Sequence, residues 1–296
     1  MKSADRELVA ARVETPLRNK GSTPHAQVIT INAERRAFVR FKELWEYREL
    51  LYFLMWRDVK VRYKQTVIGV AWAVIQPLVT MVIFTIIFGR FARIPSEGVP
   101  YPVFAYAGLL PWQLFAGGLQ RAILSVVSSA PLITKVYFPR LIVPFAATFS
   151  ATIDFAIAFI VLILMVVFSG LVITWRVIAL PAFVGLALLS ALGVGLWLSA
   201  LNVRYRDVGH AVPFLIQVWM YSSPVVYPAA LVPERWRLLY GLNPMVGVVE
   251  GFRWAILGKP VPDLQTIVMG AGTAFLLLIW GLAYFRRTER AFADEI

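Results

Sequence analysis

Residues 141–168 read LIVPFAATFSATIDFAIAFIVLILMVVF, with a single charged residue after Leu141, Asp154. A helix that crosses the hydrocarbon core of a bilayer needs about 20 predominantly apolar residues. This run exceeds that length, and it lacks the apolar–polar alternation of a membrane barrel strand. A helix is the reading that satisfies every backbone N–H and C=O where there is no water. Other stretches behave alike. Residues 65–89, 177–203, 208–233 and 264–285 carry no charge, and 98–134 carry one, Arg121. The sequence predicts an all-α polytopic membrane protein. Its six spans lie near 66–88, 102–127, 141–168, 177–200, 209–228 and 264–285.

Composition agrees. The 296 residues are 59% hydrophobic and only 16% charged, against roughly 25% charge in a soluble chain. The absence of cysteine excludes a disulfide frame, a thiolate nucleophile and a zinc finger. The two histidines, His25 and His210, are far apart, which argues against a His-rich metal site. In a soluble protein the net charge of +12 would point to nucleic acid. Here the 29 basic residues sort by loop. Fourteen lie in 1–64, and alternate loops add Lys135, Arg140, Arg204, Arg206, Arg286, Arg287 and Arg290, so 21 share one side and seven the other. That bias places both termini in the cytoplasm. No basic face exists apart from membrane flanks, so no nucleic-acid partner is expected. The polar N-terminus is not a secretory signal.

Residues 1–40 read as a flexible cytoplasmic tail. Over 41–64, Phe41, Leu44, Trp45, Leu51, Tyr52, Met55, Val59 and Tyr63 recur at helical spacing among Lys, Arg and Glu. This predicts an amphipathic helix on the cytoplasmic membrane face, the alternative being a soluble helix packed on a partner. In the loop after the second span, Pro131 suits a helix start and Pro139 limits it, predicting a two-turn helix with Lys135 and Tyr137. The outer connection, 229–263, offers Pro233 as a start, Gly241-Leu-Asn-Pro244 as a break and Gly258 as a stop. Two helices too short to cross imply a re-entrant or interfacial hairpin. Glu250 and Arg253, three apart, are spaced to pair on one helix face. Residues 288–296 form a second cytoplasmic tail.

Little in the sequence supports chemistry by this chain alone. The phosphate loop G-x-x-x-x-G-K-[ST] is missing; Gly258-Lys259 is followed by Pro260. The HExxH and GxSxG motifs are absent too. Gly193-Val-Gly195 lies within a span, where small residues admit close helix packing. Asp154, a carboxylate inside a span, is read as an interhelical hydrogen bond, in charged or neutral form. A proton relay or substrate contact is the other reading. Arg121 is placed to snorkel inward, or to meet an anionic headgroup. Trp112, Phe115, Trp219, Tyr221, Tyr227, Trp236 and Trp254 lie toward the outer side. There they are interface anchors, or platforms for sugar rings at a pore mouth.

Several stretches together resemble one family. They are Arg57-Asp-Val-Lys-Val-Arg-Tyr-Lys-Gln-Thr66, Trp72 with Gln76-Pro77-Leu78, Gly108-Leu-Leu-Pro-Trp112 and Leu132-Ile-Thr-Lys-Val-Tyr-Phe-Pro-Arg140. Asn202-Val-Arg-Tyr-Arg-Asp207, Ser223-Pro-Val-Val-Tyr-Pro228, Leu242-Asn-Pro-Met245 and Glu250-Gly-Phe-Arg253 complete them. In order and spacing the chain, from about 45 to 287, resembles the ABC-2 type permease subunit of polysaccharide and polyol-phosphate exporters. That group serves O-antigen, capsule and teichoic-acid export. The resemblance implies a homodimeric pore in the bacterial inner membrane, with two copies of a separate ABC ATPase on its cytoplasmic face. The cargo is a lipid-linked polysaccharide, the surroundings are membrane lipids, and ATP and Mg belong to the ATPase rather than to this chain.

The resemblance makes 131–138 a coupling helix. Leu132, Lys135, Val136, Tyr137, Phe138 and Arg140 are its ATPase-coupling candidates, with Arg204, Arg206 and Asp207 as a second contact. It makes the outer hairpin a narrowing of the exit, with Trp112, Phe115, Trp219, Tyr221, Tyr227, Glu250 and Arg253 as candidates for substrate path or gate. The tail of about 40 residues is longer than the family needs. Teichoic acid, small lipids or drugs are alternative cargoes. A membrane-embedded glycosyltransferase would need paired acids, whereas Asp154, Asp207 and Glu250 are scattered. A secondary transporter would show more intramembrane charge and an internal repeat.

Overall fold

The computed structural model describes residues 45–64, 69–289 and 292, all within one compact unit. The expected tail over 1–40 and nearly all of the second tail lie outside the described residues. Among the described residues the structure is helical, with no strand.

Helix α1 (Arg48–Lys64) has Glu49 beside Arg48 in its first turn and Arg62 and Lys64 in its last, the basic end suiting the helix dipole. A 3-10 turn, Gly69–Ala71, leads into α2 (Trp72–Phe84), which carries Pro77 and continues as a π-helical segment, Thr85–Phe91. Helix α3 (Tyr101–Ser128) is the axis of the molecule and the helix with the longest run of buried residues. A single turn, α4 (Ala130–Ile133), precedes α5 (Ile142–Phe168). Then come α6 (Leu180–Arg204), α7 (Asp207–Tyr221), the short α8 (Glu234–Gly241) and α9 (Pro244–Leu257), and α10 (Leu264–Thr288).

Pairings fix the directions. Helix α5 runs antiparallel to α3, because Tyr106 near the start of α3 donates to the Ala158 carbonyl at 3.2 Å while Arg121 near its end donates to Ser150 at 3.3 Å. Helix α6 runs parallel to α3: Asn202 donates to the Ile123 carbonyl at 3.2 Å. Helix α10 packs against α6, with Trp197 and Trp280 ring centroids 4.7 Å apart. Glycine sets the distances. A Cβ on Gly193 would sit 2.7 Å from the Leu278 nitrogen, and one on Gly195 2.7 Å from the Ala122 Cβ. Two positions of one helix thus face opposite neighbours, α10 and α3, and each allows backbones to approach closely.

The chain therefore has two ends. One carries α1, the 130–141 segment, the α6–α7 junction and the end of α10, held by a cluster that includes Leu54, Val126, Ile133, Phe138, Leu196 and Phe285. The other carries α8 and α9.

Four helical stretches are long and apolar enough to cross a membrane: Gly69–Phe91, Ile142–Phe168, Trp175–Arg204 and Leu264–Thr288. The other two expected spans differ in kind. Helix α3 has 28 residues but is not among those four; mostly buried by its neighbours, it carries the partly buried Gln113 and Arg121 and the exposed Gln120, which lower its apolar character. Helix α7 stops after 15 residues, about 22 Å at about 1.5 Å per residue, short of the roughly 30 Å core. Residues 222–228 continue as turns, because Ser222-Ser223-Pro224 breaks the helix inside the charge-free gap.

Candidate functional site

At the α1 end the coupling candidates sit on two junctions. The helix expected to make two turns makes one. Thr134 caps it by donating to the Ala130 carbonyl at 3.0 Å, and Lys135 already lies in a turn. Pro139 disfavours helical backbone at Phe138, and Ile133 and Phe138 are both drawn into the core, which bends the chain between them. The bend lifts Lys135, Val136 and Tyr137 outward, with Tyr137 90% exposed. Leu132 packs partly against the core. Arg140 turns away from the surface and donates to the Glu289 carbonyl just beyond α10. At the other junction Arg204, Arg206 and Asp207 are all exposed; Arg204 lies over the Tyr205 ring at 5.5 Å, and Asp207 opens α7.

At the opposite end the hairpin is built around two residues. Asn243 caps α9 by accepting from the Met245 N–H at 3.0 Å, accepts from the Trp219 indole at 3.0 Å and donates to Ser223 at 2.9 Å. It joins α7, the 222–228 turns and α9, whereas the sequence marked Gly241-Leu-Asn-Pro244 only as a break between helices. Arg253 is 1% exposed. It donates to the Val225 carbonyl at 2.7 Å, the Tyr227 carbonyl at 3.2 Å and Glu250 at 3.1 Å, and lies 3.6 Å from the Phe104 ring centre. Gly108 leaves room for it: a Cβ there would sit 2.7 Å from the guanidinium. Pinned this way, the non-helical 222–228 backbone and α9 are covered by protein, as burial away from water requires.

The aromatic candidates divide. Trp112 and Phe115 are buried within the protomer and form a row with Trp219, at centroid distances of 5.3 and 4.9 Å. Tyr221 is exposed, and its carbonyl accepts from Tyr227 at 3.1 Å; Tyr240 donates to Tyr227 at 3.2 Å.

Between the ends lies a third constellation. Asp154 on α5 makes interhelical bonds, within ion-pair distance of two arginines. It accepts from Arg62 at 2.7 Å and from Arg121, and from the Tyr63 hydroxyl. Arg121 consequently reaches across to α5 instead of along its own helix. Arg62 and Tyr63 come from α1, some 90 positions away; the one sequence signal for them was that an acid in a span needs a partner. No cluster of three or more metal-ligating side chains occurs among the described residues.

Helix α1 itself differs from a one-sided amphipathic helix. Leu54 and Val59 are buried, with Leu54 in the same cluster as the start of α5, while Tyr52, Phe53, Trp56 and Val61 remain exposed beside Lys60, which lies 5.8 Å from the Trp56 ring. One apolar stripe serves the fold, and the other remains on the surface.

Comparison with known proteins gives this arrangement a context. The model of the ABC-2 type transporter family matches residues 49–257. The chain is 28% identical over 258 residues to the O-antigen export system permease protein RfbA of Myxococcus xanthus, covering 86% of this chain and 98% of that one. Likeness to RfbA of Klebsiella pneumoniae is 27%, covering 83% and 94%. Likeness to the polysialic acid transport protein KpsM of Escherichia coli is 23%, covering 80% and 93%. Family model, helical membrane architecture and near full-length relatives agree: the chain belongs to the ABC-2 type transporter family.

Proposed function

We propose that the protein is the permease subunit of an ATP-driven exporter that moves a lipid-linked polysaccharide across the bacterial inner membrane. Two copies of the chain enclose the path, and two separate ABC ATPases bind the cytoplasmic face. ATP and Mg reside on those ATPases, and the permease itself makes no covalent bond. The observation that carries this reading is the likeness to polysaccharide-export permeases over 98% of a relative's length. The geometry is compatible with it. Exposed Lys135, Val136, Tyr137, Arg204 and Arg206 stand at one end for a soluble partner, and the covered hairpin stands at the other to narrow an exit. The α1 end, rich in Lys and Arg, faces the cytoplasm under the same reading. ATP binding shifts the ATPases between states, and the permease follows as rigid bodies, because their affinity differs for its two conformations.

The test joins biochemistry and cell surface. An ATPase should co-purify with the chain, and its hydrolysis should depend on the chain. Deletion of the gene should leave glycan in the cytoplasm and remove it from the surface. Normal surface glycan after deletion, with no glycan accumulating inside, would refute the cargo.

A further inference from the structure

A cavity of about 460 Å³ opens beside Asp154, walled by α1, α2, α3 and α5. Its charged lining residues are Arg62, Arg121 and Asp154, so the described lining is one positive charge in excess. Gln76, Gln113 and Gln120 add three side-chain amides, and Trp72 contributes a half-exposed indole. A neighbouring cavity of about 160 Å³ shares Arg62, Arg121 and Asp154 and extends to Tyr63. Each guanidinium offers five N–H donors. Arg62 directs one at Asp154; Arg121 directs one at Asp154 and one at Ser150. Two forks converging on one carboxylate form a site that a tetrahedral oxyanion fits at least as well, since such an anion accepts bidentately from both. One cation in excess in a half-buried cavity also favours an anion from outside the chain. Helix α2, which forms one wall, buries only Pro77, Met81 and Phe84, so the cavity lies behind a lightly attached span.

We propose that this cavity binds a phosphate-class anion that bridges Arg62 and Arg121, and that Asp154 holds the two arginines in its place until the anion arrives. Because Arg62 and Tyr63 lie near the end of α1, displacing Asp154 also frees that end from α5, while Leu54 keeps the middle of the helix packed in its cluster. Arrival of the headgroup is thereby converted into movement of the interface helix. The inference deepens the export reading and rests on it for the source of the anion, the headgroup of a membrane lipid.

The chain has no cysteine, so Ala73→Cys places a single thiol in the cavity wall. In the full chain with its ATPase, in neutral-lipid nanodiscs, the maleimide labelling rate of that thiol is measured. It is followed against a short-chain polyprenyl diphosphate, phosphatidylglycerol and inorganic diphosphate. Labelling should slow with the polyprenyl diphosphate. The midpoint should rise by about tenfold or more in Arg62→Gln, as for loss of a charged hydrogen bond, and fall in Asp154→Asn, which removes the internal competitor. Slowing by a lipid probe alone assigns a headgroup; equal slowing by inorganic diphosphate assigns the free anion; either supports the site. Labelling unaffected by all three probes, or a midpoint indifferent to both substitutions, overturns it. Surface glycan is measured in parallel. Export that persists with unprotected labelling removes the anion site and leaves the export reading standing.

Discussion

Single residues carry more of this fold than their number implies, and Tyr63 is one that can be titrated. Burial pushes its phenol up from 10.0, and the hydrogen bond to Asp154 adds to this, reaching about 12. The raised value means the folded state favours the protonated phenol. Its contribution is complete below the ordinary value of 10.0 and is lost as pH rises through about 12. Tyr63→Phe should therefore remove one phenol titrating near 12 from the ultraviolet difference titration; identical titrations would refute this. Arg253 tests a different principle. Removing one partner of a buried pair leaves the other uncompensated, at a cost of about 3–5 kcal/mol, whereas replacing both costs far less. Arg253→Met should lower the unfolding temperature in detergent more than the double variant Glu250→Gln/Arg253→Met does. Additive losses would contradict the pairing. The pair's three-residue spacing was readable in the sequence. The Val225 and Tyr227 carbonyls that also hold Arg253 were not, because they are backbone atoms supplied by a turn 26 to 28 positions away.

Among the elements, those bounded by side-chain chemistry were the legible ones. Pro233 precedes α8, the Gly241–Pro244 break separates it from α9, and Gly258, with φ +67°, closes α9; each is a local signal that needs no distant neighbour. The elements that tertiary contacts decide were hidden. Helix α4 is a single turn because Phe138 is pulled into the core. Helix α7 instead ends early at Ser222-Ser223-Pro224, a local break that a charge-free gap does not reveal. The shorter α4 gives the coupling assignment a sharper form. Lys135 stands on an exposed bend, so Lys135→Glu should leave membrane insertion and thermal stability unchanged while lowering chain-dependent ATP hydrolysis severalfold. A charge reversal on the surface away from packing changes stability by less than about 0.5 kcal/mol. Unchanged coupled hydrolysis would discard the assignment.

For the whole molecule, the all-helical membrane class was written in the charge gaps, whereas only four of the six gaps expected to span hold a helical stretch long and apolar enough to cross. The central position of α3 was not written there, because a helix enclosed by others and one facing lipid are both largely apolar. Nor was the meeting of α1 with α5 at Asp154, which depends on how an interface helix folds back over some 90 residues. Attachment to the bundle is also unequal. A bifunctional thiol reagent joining Trp197→Cys of α6 to Trp280→Cys of α10 should leave export intact, whereas one joining Ala73→Cys of α2 to Phe155→Cys of α5 should arrest it. The reverse result would contradict this division. Gly193 and Gly281 explain the first half of the expectation, since a Cβ at either would run into the backbone of the facing helix. Two helices in backbone contact bend together like a laminated beam, stiffer than either alone. A wall attached by three buried side chains yields first under load, so force applied at the cytoplasmic end finds its compliance in α2 and leaves the laminated pair as the fixed frame against which everything else is displaced.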